Sequence, residues 1–272
     1  MRLIPLASPD DPRIEAYRVI KERDLVGRGG RFVVEGRTVL DVALSPRNRF
    51  RLESLLLSES RVAALGGLLA QAPDDLPVYT ASQEILDGIT GFHIHRGLLG
   101  IGLRGAEPDM GTLLAGLPDK AVVAVLLGIT NHDNVGGIFR NAAAFGADAA
   151  LLDFASCDPL YRKAIRVSVG GSLIVPFARQ GGAGDVLDAL ERAGFTPIAL
   201  SPAGTEVLSE VVRPKRVALL LGAEGSGLSA PVMARAHTVR IPMKGDFDSL
   251  NVATAAGIAL HHLTCDPRSF RV

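Results

Sequence analysis

From residue 121 onward, short apolar runs alternate with amphipathic stretches, and few folds can use such a pattern. The runs fall at 121–127, 149–152, 172–175, 196–200, 217–221 and 238–241. Helical periodicity occupies 135–145, 161–167, 185–193, 229–236 and 252–262, between most of them. A strand that is apolar on both faces must be covered on both. The pattern therefore predicts an α/β fold whose buried parallel sheet carries helices on each side. Aromatic residues make up only 5% of the chain and Trp is absent, so this core has to be built from Ala, Val, Leu and Ile.

Residues 12–104 read as a smaller α/β unit. A helix carrying Ile14, Tyr17, Val19 and Ile20 precedes a strand at 31–35. Helices at 36–44, 62–71 and 82–90, the last capped by Ser82, alternate with strands at 52–57, 76–80 and 97–103. The run Gly105-Ala106-Glu107-Pro108-Asp109-Met110-Gly111 then breaks the pattern. We expect a first domain at 1–105, a linker at 106–118 containing about one helical turn, and a second domain at 119–272.

Composition excludes several classes. The apolar run at 121–129 is too short to span a bilayer and contains Gly128. The start, Met1-Arg2-Leu3-Ile4-Pro5, turns polar at Ser8-Pro9-Asp10-Asp11 and lacks the apolar centre of a signal peptide, so a cytoplasmic protein is expected. Cys157 and Cys265 make neither a disulfide framework nor a zinc site. His93 and His95 alternate as strand neighbours, but no Cys or carboxylate nearby completes a set, so no metal is expected. Net charge is zero, yet residues 18–51 hold Arg18, Lys21, Arg23, Arg28, Arg31, Arg37, Arg47, Arg49 and Arg51 against only Glu22, Asp24, Glu35 and Asp41. Arginine suits planar phosphate and base contacts better than solubility requires, and a solvated surface is the plain alternative.

Ligands of open α/β sheets bind outside the carboxyl ends of the strands, which singles out three loops. Asn131-His132-Asp133-Asn134-Val135-Gly136-Gly137-Ile138-Phe139-Arg140 follows the run at 121–127. Asn134 is suited to capping a helix, and Arg140 on so apolar a helix is either an interface residue with a carboxylate partner or a site residue. Leu221-Gly222-Ala223-Glu224-Gly225-Ser226-Gly227-Leu228-Ser229 is glycine-rich, but it is neither a dinucleotide fingerprint, nor a P-loop, nor a nucleophile elbow. Ile241-Pro242-Met243-Lys244-Gly245-Asp246-Phe247-Asp248-Ser249-Leu250-Asn251-Val252 brings Ser249 and Asn251 to a helix start, where free backbone N–H groups converge.

Taken in order, these blocks read Asn-x-Gly-x-x-x-Arg, Leu-Gly-x-Glu-Gly-x-Gly-Leu-Ser and Ile-Pro-Met-x-Gly-x-x-x-Ser-Leu-Asn-Val. That order resembles the SpoU/TrmH branch of the SPOUT RNA methyltransferases over residues 119–272. Arg166-x-Ser168-x-Gly170-Gly171 looks like a further family element, and Arg31-Phe32-Val33-Val34-Glu35-Gly36 looks like part of the ribosomal-protein-like substrate-binding domain often fused to it.

The resemblance implies a ribose 2′-O-methyltransferase that uses S-adenosylmethionine, with a C-terminal trefoil knot and a homodimeric assembly. It implies that Leu221, Gly222, Glu224, Gly227, Ile241, Met243, Ser249 and Leu250 hold the cofactor. Asn134, Arg140 and Asn251 stand nearest the chemistry, with Asn251 orienting either the reacting hydroxyl or the cofactor carboxylate. Arg18, Arg28, Arg31, Arg37 and Arg166 are the expected RNA contacts. Ribosomal RNA is favoured over transfer RNA because of the sizeable first domain. Two departures stand out: Asn131-His132 precedes Asn134 where many members have Asp-Pro, and Ala253 replaces a small hydroxyl residue. A non-catalytic RNA-binding module on the same fold is the second reading, and a Rossmann-type nucleotide enzyme the third.

Overall fold

Seven residues without a single polar side chain, Ala121–Leu127, form β6, and every one is buried. In the computed structural model, which describes residues 2–18, 29–91, 94, 97–245 and 249–265, this strand lies inside a seven-stranded sheet. Its partners are β7 (Ala149–Leu152), β8 (Phe177–Arg179), β9 (Thr196–Leu200), β10 (Glu206–Val207), β11 (Arg216–Gly222) and β12 (His237–Arg240). Every pairing in this sheet is parallel.

The order is β10-β12-β9-β11-β6-β7-β8. From β6 the chain builds outward to β7 and β8, then returns to the other side as β9 and β11. The strand order thus reverses between β6 and β11, and such sheets take ligands outside the carboxyl ends of strands near a reversal of this kind. Val123, Val125, Leu151, Ala199, Leu220, Leu187 and Leu190 share one core cluster between this sheet and its helices. The helix Val252–Thr264 packs on the helix His132–Phe145, and Gly137 permits the close approach: a Cβ there would lie 2.7 Å from the Ala253 Cβ.

The chain divides into two compact units, Met1–Ala106 with Leu160–Ile174, and Glu107–Pro159 with Val175–Val272. The first contains a five-stranded mixed sheet in the order β1 (Arg2–Pro5), β4 (Pro77–Ala81), β3 (Arg51–Ser58), β5 (Leu98–Leu103) and β2 (Arg31–Glu35). Its core gathers Ile14, Tyr17, Val33, Leu56, Tyr79, Leu86, Leu99 and Ile101. The Tyr17 hydroxyl is satisfied there by the Ser54 hydroxyl at 2.8 Å.

Several sequence expectations change. The run 172–175 is not a strand: Gly171–Ile174 is a short helix, and the strand comes after Pro176, at Phe177–Arg179. Val169 and Gly170 both adopt left-handed backbone, with φ of 55° and 83°, and turn the chain so that the Leu173 carbonyl accepts from the Arg49 N–H at 3.1 Å. Leu160–Ile174 thereby groups with the first unit, although it falls inside the expected 119–272 domain. The first helix is a 3₁₀ segment, Pro12–Tyr17, and Val19 and Ile20 lie outside the described residues. The strand Arg2–Pro5 was not anticipated, and the helix expected at 229–236 spans only Ala230–Met233. No described helix is long and apolar enough to cross a membrane.

Candidate functional site

The loop leaving β6 is braced from below by a neighbouring strand end. Asp153, directly after β7 and only 6% exposed, accepts from the Gly128 N–H through both oxygens at 3.0 and 3.1 Å. It also takes the Ser156 N–H at 2.9 Å and the Ser156 hydroxyl at 2.7 Å. The Ser156 Oγ in turn accepts from the Ile129 N–H at 3.0 Å.

From this loop rises the helix His132–Phe145. Asn131 caps it, accepting from the Asp133 N–H at 2.8 Å. The capping role expected of Asn134 therefore belongs to Asn131, three residues earlier. Asn134 lies inside the first turn and is buried, so its side chain is directed to tertiary partners instead. Its amide donates to the Glu224 carboxylate, and its Oδ1 accepts from the Asn251 Nδ2 at 2.9 Å. Asn251 Nδ2 also lies 3.5 Å from Glu224 Oε1. Asn251 simultaneously caps the last helix, its Oδ1 accepting from the N–H groups of Ala253 and Thr254 at 2.9 and 3.2 Å. A hydroxyl at position 253 is therefore not needed to start that helix.

Glu224 stands on a turn that doubles back closely. The Gly227 N–H donates to the Ala223 carbonyl at 2.9 Å, and a Cβ on Gly222 would meet the Gly227 carbonyl carbon at 2.5 Å. Only glycine fits that crossing.

Beside this turn opens a cavity of about 460 Å³. Leu221, Gly222, Glu224, Gly227, Ile241, Met243, Ser249 and Leu250 all line it, joined by Asn251. The size suits a small organic molecule, and the walls pair aliphatic side chains with a few polar groups, as such pockets do. Leu200, Ser201 and Pro202 line it as well and were not anticipated. Their signal was their place directly after the strand 196–200, the same topological position as the other two wall loops.

Arg140 is not among the lining residues. Its side chain is exposed and, among the described residues, makes no ion pair or hydrogen bond. Of the arginines expected to meet RNA, Arg31 is forked onto Glu53 at 2.6 and 2.7 Å, and that carboxylate pushes its pKa upward. Arg18 lies 3.6 Å from Asp10 and 3.5 Å from Glu15, and donates to the Pro9 carbonyl. Arg166 is 3.6 Å from Glu35, a carboxylate already held by Arg162 at 2.9 Å. Arg37 is exposed and pairs with no described residue, while Arg28, His93 and His95 lie outside the described residues. Among the described residues, no group of three or more His, Cys, Asp or Glu is gathered as for a metal ion. Burial pushes the Cys157 thiol up, and it donates to the Thr130 carbonyl at 2.7 Å.

Comparison with known proteins agrees with this geometry. The model of the SpoU rRNA Methylase family matches residues 121–261. An uncharacterized tRNA/rRNA methyltransferase of Mycobacterium bovis is 38% identical over 95% of this chain and 91% of its own length. The 23S rRNA (guanosine-2′-O-)-methyltransferase RlmB of Salmonella typhi is 29% identical over 67% of this chain and 76% of its own. The AdoMet-bound rRNA methyltransferase from Sinorhizobium meliloti shares the fold, with a TM-score of 0.77 over 99% of both chains at 24% identity. The chain thus belongs to the SpoU methylase family and is an RNA methyltransferase of that family.

Proposed function

We propose that the protein transfers a methyl group from S-adenosylmethionine to a ribose 2′-hydroxyl of RNA, with ribosomal RNA as the substrate. The observation that carries this reading is the convergence of two wall loops, 221–227 and 241–250, on one cavity beside Asn134, Glu224 and Asn251. The fit to the cofactor is chemical. Leu221, Ile241 and Leu250 offer apolar surface for a flat ring, while Glu224, Ser249 and Asn251 offer partners for polar ends. S-adenosylmethionine would bring an already activated methyl group.

What remains for the chain is alignment and charge. A ribose hydroxyl is a weak acid, so its oxygen needs help as the proton leaves. Arg140 is the cation assigned to that task, gripping the adjacent phosphate and stabilising the developing alkoxide. Its lack of a described carboxylate partner supports the assignment, because a neutralised guanidinium would have less to offer. Asn251 orients either the hydroxyl or the cofactor carboxylate.

A homodimer is part of the same reading. Ile258, Leu250 and Val212 are exposed at 42%, 40% and 88%, and Ile258 lies on the helix packed against the one bearing Arg140. A second copy covering that surface would bring a partner close to Arg140. The trefoil knot is part of the same proposal. The site of action proposed is the cytoplasm.

Calorimetric titration with S-adenosylmethionine tests the cofactor. Mapping of 2′-O-methylation across ribosomal and transfer RNA, from cells with and without the protein, tests the reaction. Loss of one ribosomal position is expected. Loss of a transfer RNA position alone would move the substrate, and loss of none would sink the reading.

A further inference from the structure

The loop after β7 displays an aromatic ring that the core does not use. Phe154 is 61% exposed, in a chain that buries Phe32, Phe139, Phe177 and Phe195. Single exposed apolar residues are ordinary on protein surfaces, so exposure alone says little. Here the backbone that carries the ring is tied down and the ring is paired with a cation. The Phe154 N–H donates to the Gly181 carbonyl at 2.8 Å. The Arg179 guanidinium lies 5.5 Å from the ring centroid. Arg179 is itself fixed, its Nε donating to the Ser156 carbonyl at 2.9 Å and its Nη2 to the Phe154 carbonyl at 2.7 Å. Those acceptors are neutral, and no described carboxylate forms an ion pair with Arg179. The charge is therefore uncompensated at the ring.

The same loop is bonded to the one that feeds the candidate site. Asp153 holds the Gly128 N–H, and the Cys157 N–H donates to the Ile129 carbonyl at 2.8 Å. Residues 128–130 lead directly into Asn131 and the helix that carries Asn134 and Arg140. The ring and its arginine thus stand on a loop hydrogen-bonded to the one that leads into the candidate site, within one unit.

We propose that Phe154, backed by Arg179, is a stacking platform for an unpaired RNA base next to the methylated nucleotide. The inference rests on the reading of the protein as an RNA methyltransferase. Aromatic faces beside arginine are how single-stranded RNA is held, since every base has a π-face and every linkage a negative charge. The ring's flank against Arg179 adds a cation–π contact that stiffens the platform, while the remaining surface is open to a base. No covalent step is involved, and the role is specificity and positioning.

The absence of Trp from the chain makes the test direct. Phe154→Trp places a single indole on the platform, and its emission should be quenched when an oligo(A) decamer is titrated in. Polyphosphate of matched charge should leave the emission unchanged. Phe154→Ala and Phe154→Leu should each weaken decamer binding about tenfold by anisotropy, the scale of one lost base stack. Leu keeps the apolar bulk and lacks the π-face, so equal losses identify stacking. Affinity for S-adenosylmethionine and the melting temperature should stay at the wild-type values.

If Phe154→Ala or Phe154→Leu binds the decamer as wild type does, the platform is refuted while the methyltransferase reading stands. An unquenched indole in a protein that has bound the decamer refutes it equally. So does a change of oligomeric state in Phe154→Ala without loss of RNA affinity, which would assign the ring to a second copy. Wild-type protein that binds neither decamer nor S-adenosylmethionine would remove the platform and the methyltransferase reading together.

Discussion

Asn251 donates to Asn134 at 2.9 Å, so a residue capping the last helix is tied to the first turn of a helix that begins 119 residues before it, at His132. Glu224 accepts from both amides and closes the triangle. Three strand-end loops are therefore held by one carboxylate. In Glu224→Ala the Asn134 amide, 4% exposed, keeps a donor with nothing to receive it. We expect a stability loss of about 1–3 kcal/mol in urea titration. S-adenosylmethionine affinity should fall at least tenfold, about the effect of 1.4 kcal/mol. Glu224→Gln retains an acceptor oxygen and should recover most of the stability. Unchanged urea midpoints in Glu224→Ala would show that the triangle does not brace these loops.

Gly222 offers a sharper test of the turn. An added Cβ would sit 2.5 Å from the Gly227 carbonyl carbon and 2.6 Å from the Leu228 nitrogen, both backbone atoms that cannot step aside as a side chain does. Gly222→Ala should therefore open the 222–228 turn and abolish cofactor binding in calorimetry, with a cost of about 1–3 kcal/mol from overpacking. Gly225→Ala is the control for general loop damage, because a Cβ there meets nothing within 4 Å, although its φ of 82° carries its own strain. Equal cofactor affinity in the two variants would count against a steric account.

The parallel sheet and the cavity walls were legible in the sequence because both depend on local order: uninterrupted apolar runs for strands, and loops that follow strand ends. The eight cofactor residues that the family resemblance implies all line the same cavity, on loops that follow strand ends. Pairings made across the fold were not legible. Nothing local to Arg31 announces Glu53, 22 residues on, and that fork changes what Arg31 has left to offer a phosphate. Leu173 and Ile174 look like strand, and only the left-handed pair at 169–170 places them in a helix of the first unit. Asn131 and Asn134 compete for one cap, and tertiary partners decide which of them keeps it.

Those pairings divide the expected RNA-binding arginines into testable classes. Arg31 is bound to Glu53 and partly exposed, so Arg31→Ala should cost about 0–1 kcal/mol of stability with little loss of RNA affinity. Arg37 has no described partner, so Arg37→Ala should leave the melting temperature alone and weaken RNA binding more strongly at low salt than at high. Binding of a labelled RNA at two ionic strengths, beside thermal melts, reads both. The reverse pattern would mean that Glu53 releases Arg31 to the RNA.

Asp153 is a positioning residue by the same logic, since it acts on the site through the loop that precedes Asn131. Asp153→Asn keeps one acceptor oxygen but turns an amide donor toward the N–H groups of Gly128 and Ser156. A loss of about 1.5–3 kcal/mol is expected from hydrogen bonds to a charged acceptor. Turnover should fall further than the folded fraction explains. A variant that melts early yet turns over normally per folded molecule would make Asp153 purely structural.

Arg140 separates binding from chemistry. It lies outside the cavity, and no described group neutralises it, so S-adenosylmethionine should bind Arg140→Ala with unchanged affinity. Turnover should fall by roughly 10²–10³, the range seen when one preorganised donor to a developing oxyanion is removed. Arg140→Lys keeps a positive charge but loses the planar fork that grips a phosphate through two N–H groups. If the fork matters, Lys should restore only a small part of the rate and leave the RNA KM raised. If charge alone matters, Lys should approach wild type, with kcat recovering before KM. Near-normal turnover in Arg140→Ala would remove the residue from the mechanism, and the search for the group that stabilises the alkoxide would move to Glu224 and Asn251.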